Sequence, residues 1–292
     1  METVKTVAIL SPGDMGSNVG RALRENGLEV ITCLTERSAR TKELSDTAGI
    51  VDVPDFAEMV ARADIVLSVL VPERSVDVAR QVAAVIQESG KPLPFADCNP
   101  VAPAVAQHMA VIIENAGGKY IDGGIIGGPP GRGEPPRFYA SGPHEAIMGQ
   151  LDGRGISVPM MGGDVGRASA IKMCYASLSK GAAALNASAL ISAMNLGIYD
   201  EFIAEMESSQ QAVLRNMQGV NGLGAKAFRW IDEMEQISAT FGAAGATPYL
   251  HKGAADVFRH VTASPIGDER PETIDSSRTL RETVELLAKD SS

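Results

Sequence analysis

The sequence has little cysteine or histidine and no long apolar run. Three of its 292 residues are cysteines, and neither their odd number nor their spacing fits a disulfide framework or a zinc site. The four histidines form no ligand motif, so we expect no structural metal. Because no run reaches 18 apolar residues, no membrane-spanning helix is expected. The first strand pattern begins almost at Met1, which leaves no room for a signal peptide and predicts a cytoplasmic protein.

Basic residues are also in the minority. The chain has 26 Lys and Arg residues against 36 Asp and Glu residues, which gives a formal net charge of −10. This balance argues against a general nucleic-acid or anionic-membrane binder. It leaves a small anionic ligand possible, because a local pocket can oppose the overall charge. The length is sufficient for two domains of ordinary size.

Short apolar runs alternate with helical patterns through the first half of the chain. The apolar runs predict strands at residues 6–10, 29–34, 65–70, 93–96 and 119–122, with two further strands at 138–141 and 156–161. The helical patterns lie between them, at residues 14–26, 37–46, 55–63, 75–88, 102–116 and 144–151. This alternation predicts an α/β fold, in which a doubly wound, mainly parallel sheet forms a Rossmann domain over residues 1–163.

Only helical patterns follow in the second half. They lie at residues 169–196, 201–217, 225–239, 248–261 and 276–288. The sequence therefore predicts an all-α C-terminal domain over residues 164–292.

The first strand pattern ends in a tight turn, and a helix pattern opens directly behind it. The turn reads Ser11-Pro12-Gly13-Asp14-Met15-Gly16. Backbone N–H groups at such a helix N-terminus are unpaired, and the helix dipole there favours an anion. In the dinucleotide-binding fingerprint Gly-x-Gly-x-x-Gly, Gly13 would let the backbone approach a pyrophosphate and Gly16 would let the helix pack on the strand. Ser11 occupies the first glycine position, and an ordinary tight turn is the alternative. We predict that Gly13, Asp14, Met15 and Gly16 bind a dinucleotide cofactor.

The segment after the second strand pattern favours NADP over NAD. Enzymes that use NAD usually place an acidic residue at the end of this strand, where it holds the ribose hydroxyls. Here Glu36 is the only nearby acid, and it lies one or two residues late. Arg37 and Ser38, beside Arg40, suit a 2′-phosphate through charge-assisted hydrogen bonds. A solvated loop, with NAD as the cofactor, is the alternative.

Five segments, in order, resemble motifs of the β-hydroxyacid dehydrogenases, a family that includes 3-hydroxyisobutyrate and 6-phosphogluconate dehydrogenases. The segments are Gly13-Asp14-Met15-Gly16, residues 63–72, Asp97-Cys98-Asn99-Pro100-Val101-Ala102-Pro103, Asp122-Gly123-Gly124-Ile125-Ile126-Gly127-Gly128 and Gly166-Arg167-Ala168-Ser169-Ala170-Ile171-Lys172. Members of this family have an N-terminal Rossmann domain and a helical C-terminal domain. Residues 230–261 resemble the helical C-terminal domain of one poorly characterised branch.

The resemblance implies roles for individual residues. The implied cofactor contacts are Leu70, Val71 and Asn99, and the implied substrate loop contains Asp122, Gly123 and Gly124. Lys172 matches the catalytic lysine. The sequence departs from the family at two positions, since Ile126 replaces a substrate-binding serine and Ala176 replaces an asparagine. Both changes make the expected substrate pocket more apolar.

Lys172 is the predicted proton donor or acceptor. The residues around it are small and apolar, and desolvation lowers the pKa of a lysine, which makes proton exchange with a substrate oxygen feasible. The alternative is a lysine that extends to solvent. Tyr175 and Lys180 could supply hydrogen bonds in place of the missing asparagine, although Lys180 fits a solvated helix face equally well. Arg132, in a loop rich in Gly and Pro, could meet an anionic substrate, or the loop could be a plain connector.

These features predict an NAD(P)-dependent oxidoreductase. It would transfer hydride between nicotinamide and a hydroxy acid or a related alcohol or carbonyl compound. An imine reductase on the same fold, and a protein that binds the cofactor without turnover, are alternatives. The family resemblance and the alanine-rich helix pattern at 169–196 imply a homodimer through the helical domain. No nucleic-acid or membrane partner is expected.

Overall fold

The computed structural model describes residues 3–131 and 133–288. The chain divides into two compact units. Unit 1 ends at Met173, and unit 2 begins at Cys174.

Unit 1 is built on a seven-stranded sheet. Its strands are β1 (Thr6–Leu10), β2 (Glu29–Thr32), β3 (Val51–Asp52), β4 (Ile65–Ser68), β5 (Pro94–Asp97), β6 (Lys119–Ile126) and β7 (Arg137–Ser141). The order across the sheet is β3-β2-β1-β4-β5-β6-β7, and every neighbouring pair is parallel except β6 and β7. The strand order reverses at β1 and β4. In doubly wound folds, ligands bind at the carboxyl ends of the strands beside such a reversal.

The central strands of the sheet are buried on both faces. In β1, Val7 and Ile9 belong to one apolar cluster together with Val19 of α1 (Asp14–Glu25). Ala8 and Leu10 belong to a second cluster on the other face. Because successive side chains of a strand point to opposite faces, a run that is apolar at every position must be covered on both.

The helices of unit 1 connect the strands. After α1 they are α2 (Ala39–Thr47), α3 (Phe56–Arg62), α4 (Ser75–Ser89), α5 (Pro103–Asn115) and α6 (Glu145–Met148), and α7 (Arg167–Asn195) begins in this unit. The side chains of Ser38 and Asp55 cap α2 and α3 by accepting a backbone N–H from the first turn. The predicted start at residue 55 coincides with its cap, and the predicted start at residue 37 lies one residue before its cap.

The described part of unit 2 contains the rest of α7 and five further α-helices. These are α8 (Tyr199–Ser209), α9 (Gln211–Met217), α10 (Gly224–Ala243), α11 (Tyr249–Ala263) and α12 (Leu280–Ala288). The rings of Trp230 and Phe258 meet edge to face at 5.3 Å between α10 and α11. A Cβ on Gly224 would lie 2.1 Å from the carbonyl oxygen of Ile266, so this contact requires glycine. In the described part of unit 2, every regular element is a helix.

The predicted fold class is confirmed, whereas two predicted elements are wrong. Residues 156–161 form isolated bridges instead of a strand, because Pro159 lacks an N–H and the N–H of Val158 donates to Asp152 at 2.7 Å. The helix predicted over 201–217 is two helices that break at Gln210, whose φ is −140°. Across the described ranges, no helix is both long and apolar enough to cross a membrane.

Candidate active site

The turn after β1 forms an open cradle at the N-terminus of α1. Ser11 has a φ of +60°, in the left-handed region, and its carbonyl accepts the N–H of Gly13 at 2.7 Å. A Cβ on Gly16 would lie 3.1 Å from that carbonyl oxygen and 3.3 Å from Ile9 Cγ2, so glycine permits the close packing of helix on strand. A Cβ on Gly13 would meet nothing closer than 4.0 Å, which shows that the backbone there faces open space. This is the local geometry that a pyrophosphate requires.

The segment after β2 carries two arginines and lacks an acid at the strand end. The strand is followed by buried Cys33 and Leu34. The N–H of Leu34 donates to Asp52 of β3 at 2.8 Å, so that nearby carboxylate is engaged. Arg37 is half-buried, and its Nε has no hydrogen-bond partner among the described residues. Nη2 of Arg40 reaches Oδ1 of Asp14 in the turn after β1, at 2.6 Å.

A buried polar network joins the carboxyl ends of β4 and β5. Asn99 donates its side-chain amide to Ser68 at 2.9 Å and to Asp97 at 2.6 Å, and its oxygen accepts the backbone N–H of Leu70 at 2.5 Å. Asn99 is 1% exposed. Its side chain is thus engaged in fixing the loop that begins at Leu70, the loop expected beside the cofactor. We assign Asn99 a positioning role.

Asp97 was not among the predicted site residues, yet its carboxyl is the most perturbed in this network. Burial, together with the nearby charge of Asp122, raises the pKa of Asp97 to about 7. Hydrogen bonds from Asn99 and Ser68 oppose that shift. Oδ2 of Asp97 has no hydrogen-bond partner among the described residues. The acid therefore titrates near neutral pH instead of staying ionised.

The buried carboxylate of Asp122 anchors the start of α7. Its oxygens accept hydrogen bonds from the backbone N–H groups of Gly166, Ala168 and Ser169, at 2.9, 2.9 and 3.1 Å. The hydroxyls of Ser141 and Ser169 also donate to it, at 2.8 and 2.5 Å. A negative charge at a helix N-terminus is stabilising. Since Asp122 is fully buried and satisfied within the chain, the geometry favours a positioning role over direct substrate contact.

The two glycines after Asp122 permit two close backbone approaches to β6, by α7 at Gly124 and by the end of β5 at Gly123. A Cβ on Gly124 would lie 2.5 Å from the carbonyl oxygen of Ala168 and 3.1 Å from the Cβ of Lys172. A Cβ on Gly123 would lie 2.7 Å from the carbonyl oxygen of Asp97. Lys172 is half-buried on the second turn of α7. The structure thus brings Lys172 beside the predicted substrate loop within unit 1.

Lys180, in unit 2, makes an ion pair within the helical unit. Its Nζ lies 2.6 Å from Oε1 of Glu233 on α10, and the two side chains are only 13% and 7% exposed. The ammonium also lies 5.5 Å from the centroid of the Trp230 ring. The sequence analysis placed Lys180 either in the substrate pocket or on a solvated helix face, and neither alternative included this ion pair. Tyr175 is 49% exposed, and Arg132 lies outside the described residues.

Ile126 and Ala176, the two departures from the family, are both buried. The described residues also contain no group of three His, Cys, Asp or Glu side chains that could hold a metal ion. The roles of Ser141 and Ser169, which help to fix α7, and the contact between Asp14 and Arg40 were not predicted. Nothing in the sequence pairs residues that lie far apart along the chain, so only the fold could reveal them.

Comparison with known proteins agrees with this geometry. Residues 6–150 match the model of the NAD-binding domain of 6-phosphogluconate dehydrogenase, and residues 193–261 match a domain of unknown function, DUF1932. A protein of Methanothermus fervidus, described as an uncharacterized 28.5 kDa protein in the 7S RNA 5′ region, is 23% identical over 257 residues. That match covers 87% of this chain and 98% of the relative.

Solved structures show the same fold. The 3-hydroxyisobutyrate dehydrogenase of Mycobacterium tuberculosis has a TM-score of 0.70 at 18% identity, with 98% of this chain and 99% of that chain covered. An imine reductase from Bacillus cereus has a TM-score of 0.57 at 20% identity, with 92% and 97% covered.

The class of protein is thus defined by a nicotinamide-cofactor-binding Rossmann domain joined to a helical domain, in the hydroxyacid dehydrogenase fold. The chain carries the NAD-binding domain of 6-phosphogluconate dehydrogenase over residues 6–150, followed by the DUF1932 domain over residues 193–261. The predicted family resemblance is confirmed.

Proposed function

We propose that this protein is a cytoplasmic, NADP-dependent oxidoreductase that interconverts an alcohol and a carbonyl compound, with Lys172 as the proton donor or acceptor. The observation that carries the proposal is the placement of Lys172. Buried Asp122 fixes the first turn of α7, and Gly124 lets that turn lie against β6, so the lysine stands at the predicted substrate loop. The bound nicotinamide would supply the hydride chemistry. Lys172 would give a proton to the substrate oxygen during reduction and take it back during oxidation.

The residues present fit a phosphorylated dinucleotide. The open backbone at Gly13, at the N-terminus of α1, suits the pyrophosphate. Arg37, whose buried Nε has no hydrogen-bond partner in the described part of the chain, and Ser38 suit a 2′-phosphate. The absence of an acid directly after β2 supports NADP over NAD. The loop at Leu70 and Val71, held by Asn99, would line the cofactor on its other side.

The substrate pocket is proposed to be more apolar than that of the usual hydroxyacid dehydrogenases. Ile126 and Ala176 offer no hydrogen bond where the family pattern has serine and asparagine. Backbone groups of Gly123 and Gly124 would then carry more of the substrate orientation. Tyr175 could add a hydroxyl, whereas the ion pair of Lys180 with Glu233 makes direct substrate binding by Lys180 less favourable.

A two-stage measurement tests this function. Fluorescence titration with NADPH and NADH first establishes cofactor binding, and absorbance at the NADPH band then follows turnover with panels of ketones, keto acids and cyclic imines. The proposal expects turnover of a carbonyl compound. Turnover of cyclic imines alone would instead favour imine reduction, and binding without turnover of any compound would favour a non-catalytic role.

The proposed partner is a second copy of the chain, bound through the helical unit. Leu178 and Leu185, seven residues apart on α7, are 76% and 70% exposed, and Leu250 of α11 is 73% exposed. They border an apolar groove of about 580 Å³ that is also lined by Gly181 and His251. His251 is 5% exposed, and its Nδ1 has no hydrogen-bond partner among the described residues. In a two-fold dimer, the exposed leucines of each copy would pack into the groove of the other.

Light scattering of the Leu185→Glu variant tests this partner. The wild type is expected to be dimeric at micromolar concentration and the variant monomeric, because a buried glutamate would be uncompensated. Val111→Glu, at a 56% exposed position of α5 in unit 1, is the matched control and should stay dimeric. A monomeric wild type would contradict the proposal.

A further inference from the structure

We propose that Asp14 sets the preference between NADPH and NADH, because its carboxylate competes with the 2′-phosphate of NADPH for the guanidinium of Arg40. The inference rests on the proposed function in one respect, namely that a nicotinamide dinucleotide occupies the carboxyl edge of the sheet. Asp14 acts here as a positioning residue, through Arg40.

The ion pair joins the two segments that a dinucleotide's phosphates would approach. Asp14 is the first residue of α1, directly after Gly13, and Arg40 is the second residue of α2. Nη2 of Arg40 lies 2.6 Å from Oδ1 of Asp14. The pair therefore spans from the turn after β1 to the segment after β2, over the strand ends where dinucleotides bind in this fold.

The pair can be opened by a stronger anion. Both side chains are 41% exposed, and half-exposed ion pairs are weak because water and salt screen them. A phosphate carries more charge than a carboxylate and offers three oxygens to arginine. An anion that reached Arg40 would also lie near Arg37 and Ser38, three and two residues earlier in the chain. NADH has no phosphate at this place, so the contact between Asp14 and Arg40 would persist when NADH is bound.

Asp14 also places a negative charge at the pyrophosphate cradle. Its repulsion of the pyrophosphate is common to NADPH and NADH, so that contribution does not discriminate between them. The ratio of the two dissociation constants cancels this common term and isolates the competition for Arg40. A purely structural role of the pair would change the unfolding midpoint and leave the ratio unaffected.

The test measures the Kd of NADPH and of NADH by fluorescence titration for four proteins: the wild type, Asp14→Asn, Arg40→Gln and the double variant. Asp14→Asn is expected to lower the Kd of NADPH relative to that of NADH by about 2–5-fold, the range that corresponds to the energy of an exposed ion pair. In the Arg40→Gln background, Asp14→Asn should leave the ratio unchanged, because no guanidinium remains to be released.

Asp256→Asn is the matched control. It breaks a surface ion pair to Arg259 of 2.6 Å in unit 2, and it should leave the ratio unchanged. An unaltered ratio in Asp14→Asn would overturn the inference, and so would an equal shift in the Arg40→Gln background. If the wild type binds both cofactors and either of these results is found, only this inference fails. If the wild type binds neither cofactor, the proposed function fails and this inference fails with it.

Discussion

Replacing Asp122 with asparagine should destabilise unit 1 and displace Lys172. The substitution keeps the shape of the side chain but removes its charge. Oδ2 accepts from three backbone N–H groups at the start of α7, including that of the preceding Gly166, and from the hydroxyl of Ser141. Hydrogen bonds to a charged acceptor contribute about 1.5–3 kcal/mol, against about 0.5–1.5 for a neutral one. Losing roughly 1 kcal/mol in each of four bonds gives ~4 kcal/mol.

The lower cost of burying a neutral amide offsets part of that loss, so a decrease of about 2–4 kcal/mol in the free energy of unfolding is expected. Urea denaturation measures this change, and steady-state kinetics measures the accompanying fall in kcat. Asp152→Asn, which weakens one backbone contact to Val158 in the same unit, is the control and should cost about 1 kcal/mol. The reasoning is refuted if Asp122→Asn unfolds at the wild-type urea concentration and keeps the wild-type kcat.

Three further perturbations address the same site. The raised pKa of Asp97, about 7 in the folded chain against 3.8 for an ordinary aspartate, means that the folded state holds a proton that the unfolded state has released between about pH 4 and 7. Stability should therefore fall as pH rises through this window, by a few kcal/mol at most, and Asp97→Asn should flatten the dependence of the urea midpoint on pH. Gly124→Ala would place a Cβ 2.5 Å from the carbonyl oxygen of Ala168, so α7 must shift. It should cost about 1–3 kcal/mol by urea denaturation and lower kcat, whereas full activity would show that the close approach is dispensable. Arg37→Ala should weaken the binding of NADPH by about 1.5–3 kcal/mol in fluorescence titrations and leave the binding of NADH nearly unchanged. Equal losses of affinity for the two cofactors would contradict a 2′-phosphate site.

The sequence was informative where function depends on local backbone geometry. The turn at Gly13 and Gly16 and the alternation of strands and helices could be predicted, because glycine in a strand-to-helix turn and a run of apolar residues each have a local physical meaning. The strand β3 could not, since it is two exposed residues with no apolar pattern. The break at Gln210 was also hidden, because the residues on both sides of it favour helix.

Several residues of the candidate site could be named from the sequence, but what each side chain does there could not. Asp122 was predicted to contact substrate, and the sequence did not reveal that its carboxylate holds the start of α7. Lys180 was expected to face a pocket or solvent, and it pairs with Glu233, 53 residues later. Roles of this kind depend on contacts between residues that lie far apart along the chain. A single sequence does not indicate which of these contacts form.

The most direct test of the proposed mechanism is the turnover of the Lys172→Met variant on a substrate found in the screen. Methionine keeps the apolar stem of the side chain. It removes the proposed hydrogen bond to the substrate oxygen and the proton that Lys172 would exchange with it. General acid–base catalysis contributes about 10²–10⁴-fold, so kcat should fall by at least about 100-fold, while the Kd of NADPH changes little. Lys172→Arg should restore little activity, because arginine stays protonated. Lys119→Met, at the opposite end of β6, is the control and should keep normal turnover. If Lys172→Met instead retains most of the wild-type kcat, then the lysine is structural, the proton comes from Tyr175, Lys180 or water, and imine reduction becomes the better account of the site.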